Sequence, residues 1–199
     1  EMLRSLVGSE MCIRDRYQNT QTKYYSCGEE MFPDMLEALR GAKHFIFLEY
    51  FIIEEGYMFN TILDILEEKA KAGVDVRFIY DDVGSINSIS FGYYKKLQER
   101  GIPCVTFNPF KPLISVVMNN RDHRKIFVVD GYIGFTGGIN LADEYINKVK
   151  RFGYWKDTGV RIEGEAVWSL TAMFLEMWNY INRSTEDYSL SLIHISEPT

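Results

Sequence analysis

The stretch Asp122-His123-Arg124-Lys125-Ile126-Phe127-Val128-Val129-Asp130-Gly131-Tyr132-Ile133-Gly134-Phe135-Thr136-Gly137-Gly138-Ile139-Asn140 decides how the chain folds. Its Val, Ile and Phe content predicts two strands. Side chains alternate along a strand, so His123 and Lys125 project to one side, with Arg124, Ile126 and Val128 on the other. Asp130-Gly131 between β-prone runs predicts a tight hairpin. The second strand runs into Gly137-Gly138, where a ligand can approach bare backbone. A candidate nucleophile (His123), a cation (Lys125) and a glycine-opened loop carrying Asn140 therefore converge at one end of a hairpin. That pattern suits a phosphate group.

Upstream, His44–Ile53 is almost wholly apolar and reads as a strand covered on both faces. Glu49 within it is costly unless it is paired or faces a cavity. Helical periodicity marks Glu29–Ala42, with Met31, Met35, Leu36 and Leu39 inward, and Met58–Ala72, closed by Gly73. Val74–Tyr80 is a further buried strand, followed by a helix over Ser88–Arg100 and a strand over Ile102–Phe107. Asp81-Asp82 after the buried strand reads as a capping or packing turn rather than a metal site. Downstream, Lys156–Glu163 alternates as a strand and Ala166–Ile181 is an amphipathic helix. Strand and helix in alternation predict parallel strands with helices on both faces, to which the hairpin adds antiparallel pairs.

The chain has 199 residues, 46% of them hydrophobic, enough for one substantial core. Its formal charge of −6 argues against a nucleic-acid groove as its main business. Cys12, Cys27 and Cys104 are scattered, without zinc or disulfide spacing. No run is long enough to cross a bilayer. Around Pro109 and Pro112, the apolar residues Phe110, Leu113, Ile114, Val116, Val117 and Met118 fit either a lip on lipid acyl chains or a loop folded over the core. Lys148, Lys150 and Arg151 fit either lipid headgroups or an ordinary solvated loop.

His123, Lys125 and Asp130, followed by Gly137, Gly138 and Asn140, resemble the phospholipase D superfamily signature His-x-Lys-x-x-x-x-Asp with its Gly-Gly-x-Asn tail. The first part alone arises by chance in roughly one chain of this length in a hundred. The wording His-Arg-Lys-Ile, Thr-Gly-Gly-Ile-Asn-Leu-Ala-Asp-Glu-Tyr, Tyr-Trp-Lys-Asp-Thr and Leu48-Glu49-Tyr50-Phe51 is similar to that of the bacterial cardiolipin synthases. The resemblance covers about residues 20–188. It implies an α/β fold, a layered α/β/α sandwich with a mixed, largely parallel sheet, and one of the two halves such an enzyme needs. Residues 17–189 are then the phospholipase D-like domain. Residues 1–16 and 190–199 match nothing in the pattern and resemble translated sequencing-adapter DNA, so both are expected to be non-native tails that pack poorly.

The resemblance further implies transfer of a phosphatidyl group between two phosphatidylglycerols at a bacterial cell membrane, without cofactor, metal or nucleic acid. His123 is the expected nucleophile, since an ordinary imidazole is largely neutral at pH 7 and the like charge of Lys125 favours that form. Lys125 and the Asn140 amide would hold phosphoryl oxygens, with Gly137 and Gly138. Asp130 belongs to the signature, although its turn explains it without chemistry. Glu49 is expected beside the phosphate, the alternative being a salt bridge at a strand end. Gly159 stands where the family usually has His, which implies a weakened polar contact. A second His-x-Lys is absent from these residues, so the site needs a missing C-terminal half or a second copy. The competing reading is a single-motif nuclease or phosphodiesterase active as a homodimer.

Overall fold

The computed structural model describes residues 17–109 and 120–185. The expected tails at 1–16 and 190–199, and the apolar stretch from Phe110 to Met118, lie outside them. The described strands are β1 (Thr20–Tyr25), β2 (Phe45–Tyr50), β3 (Asp75–Asp81), β4 (Cys104–Phe107), β5 (Ile126–Val129), β6 (Ile133–Gly137) and β7 (Gly159–Gly164). The helices are α1 (Gly28–Gly41), α2 (Tyr57–Lys71), α3 (Tyr93–Glu99) and α4 (Val167–Asn182). One sheet runs in the order β1-β7-β6-β5-β2-β3-β4. No helix among the described residues is long and apolar enough to cross a membrane.

Alternation along β2 sorts the two cores. Ile46, Leu48 and Tyr50 join α1, α2 and α3 in the larger cluster, whereas Phe45 and Phe47 face α4. Across that second layer Phe45 stacks on Phe47 at 4.5 Å and Phe47 on Phe174 at 4.8 Å between ring centroids. The result is the expected α/β/α sandwich.

The sheet is mixed as expected, but it is not largely parallel. Only β2–β3 and β3–β4 are parallel, while β1–β7, β7–β6, β6–β5 and β5–β2 are antiparallel. The excess comes from the hairpin and from β1, which crosses the domain to pair with β7. Two elements are shorter than their patterns suggest. The helix expected from Ser88 begins only at Tyr93, because the amides of Ser88 and Ile89 turn back to the Ser85 carbonyl and Gly92 is left-handed (φ 73°). The strand expected through His123 and Lys125 begins at Ile126, leaving both in extended chain at its mouth.

The hairpin turns at Asp130 (φ 51°) and Gly131 (φ 65°), the two successive positive φ angles of a type I′ turn. The Asp130 carboxylate accepts the backbone N–H groups of Lys43, His44 and Phe45, each at 2.8 Å, and so fixes the start of β2. Asp130→Ala leaves those three donors without their charged acceptor. A loss on the order of 2 kcal/mol, read from the urea midpoint of unfolding, is expected.

Candidate active site

The parallel strands β2 and β3 end on the edge of the sheet where β5 begins, β6 ends and β7 begins. Five strand ends thus converge, and open α/β sheets bind ligands beyond such carboxyl ends. The Asp81 carboxylate closes the turn after β3 by accepting Gly84 N–H at 2.8 Å. It also accepts Asp122 N–H and Arg121 Nη1, both at 3.1 Å, and so docks the signature segment onto β3. Asp81 thus serves a packing turn, as its sequence context suggested. Next to it, the Ser85 hydroxyl accepts Ile53 N–H at 3.1 Å and donates to the Phe51 carbonyl at 3.3 Å.

That support holds Phe51 against the histidine. The His123 ring is exposed and lies 4.7 Å from the Phe51 ring, centroid to centroid. Lys125 is buried, its ammonium 5.4 Å above the same phenyl ring. Lys125 Nζ donates to the His123 carbonyl at 2.7 Å and lies 3.2 Å from His123 Nδ1. Burial pushes the Lys125 ammonium down to about 8, against the opposing pull of Asp157 and Asp122. The expected pairing of His123 with Lys125 on one side is therefore present, outside regular strand.

Gly137 and Gly138 have a close-packed setting. Gly137 has φ 148°, and a Cβ on it would strike the Thr158 carbonyl. A Cβ on Gly138 would occupy the space of the Asp157 carboxylate, while Gly138 N–H donates to the Thr158 carbonyl at 3.0 Å. The glycines thus let Asp157 approach, and its charge reaches Lys125. Asp157 and Phe51 are the site residues that strand alternation could not reveal. Both lie within the family wording, in Lys-Asp-Thr and Leu-Glu-Tyr-Phe.

The other expected residues are placed differently. Asn140 is 2% exposed; its Oδ1 accepts Ile52 N–H at 3.0 Å and its Nδ2 donates to Tyr145 Oη at 2.8 Å. It ties together the loops after β2 and β6, leaving one amide N–H beyond the Tyr145 bond. Asp130 sits at the far end of β5 from His123 and holds β2 rather than meeting the imidazole. Glu49 is not on the phosphate side. It shares the α4 face with Phe45 and Phe47, and its Oε1 lies 2.9 Å from Arg124 Nε, as in the alternative that set it beside a cation. Gly159 faces the core: a Cβ there would strike the Met31 thioether.

An exposed imidazole backed by a buried lysine, at the convergent strand ends of this mixed sheet, defines a phospholipase D-like domain. The family model described as "Cardiolipin synthase, PLD-like domain" matches residues 35–178, and the chain belongs to that family. It is 45% identical over 163 residues to a cardiolipin synthase of Alkalihalophilus pseudofirmus, covering 81% of this chain and 32% of that protein. The chain spans about a third of the length of the curated relatives it matches. In fold it is similar to Nuc from Salmonella typhimurium, a phospholipase D family member (TM-score 0.55, 22% identity, 85% of this chain and 97% of that one). It is also similar to phosphatidylserine synthase of Haemophilus influenzae (TM-score 0.60, 20% identity, 85% of this chain and 37% of that one).

Asn140→Ala removes the acceptor that fixes Ile52. Amide hydrogen exchange at Ile52 should accelerate, with a stability loss of about 1–2 kcal/mol.

Proposed function

We propose that this chain supplies one half of the active site of a phosphatidyltransferase that joins two phosphatidylglycerols into cardiolipin and releases glycerol. The carrying observation is the exposed His123 ring with the buried Lys125 ammonium against it, in a chain of this family. A lone pair of the His123 ring attacks phosphorus in the first phosphatidylglycerol. The P–O bond to the headgroup glycerol breaks, and glycerol leaves with a proton from an acid opposite His123. The phosphatidyl group is now on the imidazole, and one difficult displacement has become two. The headgroup hydroxyl of the second phosphatidylglycerol gives its proton to the same opposite group and attacks phosphorus. The P–N bond breaks and His123 is restored. Lys125 and the remaining Asn140 N–H face the non-bridging oxygens as their charge grows, beside the Gly137-Gly138 backbone. Asp130 acts at a distance, by holding β2.

The opposite acid must come from a second half, because His44 and His194, the other histidines of these residues, stand in no His-x-Lys pattern. The chain assayed alone on phosphatidylglycerol vesicles should form negligible cardiolipin as a monomer. A second-motif half should restore transfer, and His123→Ala should then lower it by about a thousandfold or more. Robust turnover by a demonstrated monomer overturns the half-site reading, and activity rising with the dimer population assigns the second half to another copy.

Lys125 gives the site a pH signature. Its ammonium is the anion-binding form and is lost as pH rises through about 8. Sulfate keeps its charge in that range, so its affinity, followed by calorimetry, should fall from pH 7 to pH 9. The fall should vanish in Lys125→Met.

A further inference from the structure

Asp122 and Arg124 flank His123 in sequence and turn away from it. Arg124 Nε donates to Asp122 Oδ1 at 2.9 Å and Nη2 to Oδ2 at 3.3 Å, a two-pronged pair. Arg124 Nε also lies 2.9 Å from Glu49 Oε1, without the alignment of a hydrogen bond. Glu49 is 1% exposed. With Glu49 and Asp122 both ionised, neither Glu49 oxygen has a hydrogen-bond partner, and one guanidinium faces two buried carboxylates. Two such charges held together are costly, and a single proton resolves the conflict by turning the contact into an O–H···O⁻ bond.

We propose that Glu49 is a positioning residue for His123: a protonated carboxyl that donates to Asp122 and, through Asp122 and Arg124, sets the segment carrying the imidazole. This rests on the reading of His123 as the reacting group. The charged groups around the cluster agree with it. Glu176 acts on Arg124 from α4, the helix packed on this face, and Asp81 with Arg121 holds the Asp122 backbone from β3, so Arg124 is shared among three carboxylates. Burial and then the Asp122 carboxylate push Glu49 up to about 9. Burial alone would raise Asp122 as well, but its bonds to Glu49 and Arg124 outweigh that and hold it low. The charge therefore settles on Asp122, where Arg124 is aligned, and the proton on Glu49. A neutral donor behind the signature segment fixes its geometry without adding a negative charge near an incoming phosphate.

The test uses the chain as it stands, with the three histidines distinguished by ring NMR and His123 assigned through His123→Ala. Glu49→Gln keeps a neutral donor to Asp122, whereas Glu49→Leu removes it at similar volume. The His123 ring resonances should stay in place in Glu49→Gln and shift in Glu49→Leu. A Leu variant with unmoved resonances, or a Gln variant displaced as far as the Leu one, overturns the proposal. A second measurement needs only the Gln variant. The native chain keeps a Glu49 proton that the unfolded chain releases near 4.5. Stability from this group is therefore full below that pH and is lost as pH rises towards about 9. Between pH 5 and pH 8, where Lys125 does not yet oppose it, the melting temperature should fall more steeply in the wild type than in Glu49→Gln, and equal slopes overturn the proposal. Neither readout requires turnover, so failure of the transferase reading leaves them standing.

Discussion

The Asp81 carboxylate is the constraint on which the site depends. It is buried at the end of β3 and binds its own turn at Gly84 together with the segment entering His123 at Arg121 and Asp122. Without it, the chain leading into β5 would have no fixed register against the parallel strands, because regular pairing starts only at Ile126. The same turn carries Ser85, which clasps Phe51 and Ile53. One buried anion thus orders both walls around the imidazole, its carrier segment and the phenyl ring beside it. Buried carboxylates persist where several donors converge on them, and here the donors are the functional loops themselves.

The opposite end of the sheet is organised by the same economy. Asp130 collects three amides at the mouth of β2, as Asp143 caps α2 by accepting Tyr57 and Met58 N–H at 2.9 and 2.7 Å. Asp81, Asp130 and Asp143 thus each end a strand or start a helix. Many of the carboxylates behind the net negative charge are thereby committed to backbone amides or arginines.

Much of the layout was legible in the sequence because it is local. Asp130-Gly131 announces its turn, the period of α1 and α2 announces their inner faces, and the spacing of His123 and Lys125 announces their shared side. What escaped is set by distant partners. Nothing near Thr20 reveals that β1 pairs with β7, so the share of antiparallel strands was underestimated. The Ser85 turn that shortens α3, with Gly92, is itself anchored by the Ser85 hydroxyl on Phe51 and Ile53. Alternation shows that Glu49 shares a face with Phe45 and Phe47, but not that Arg124 and Asp122 wait on that face. The motif marks Asn140 as a ligand-facing amide, but its tie between two loops is invisible without the positions of Ile52 and Tyr145.

Gly159 and Met31 occupy one space between them. Ile139 and the Met31 methyl would each stand 3.3 Å from a β-carbon at position 159, with the thioether closer still. Met31 is itself 2% exposed, and the end of its flexible side chain is what a residue at 159 would displace. A side chain at 159 and the Met31 side chain as it lies here thus compete for one space, and the two positions are coupled. A larger residue at 159 must displace the end of Met31, and a smaller residue at 31 makes room for it. A substitution at either position is thus felt first at the other.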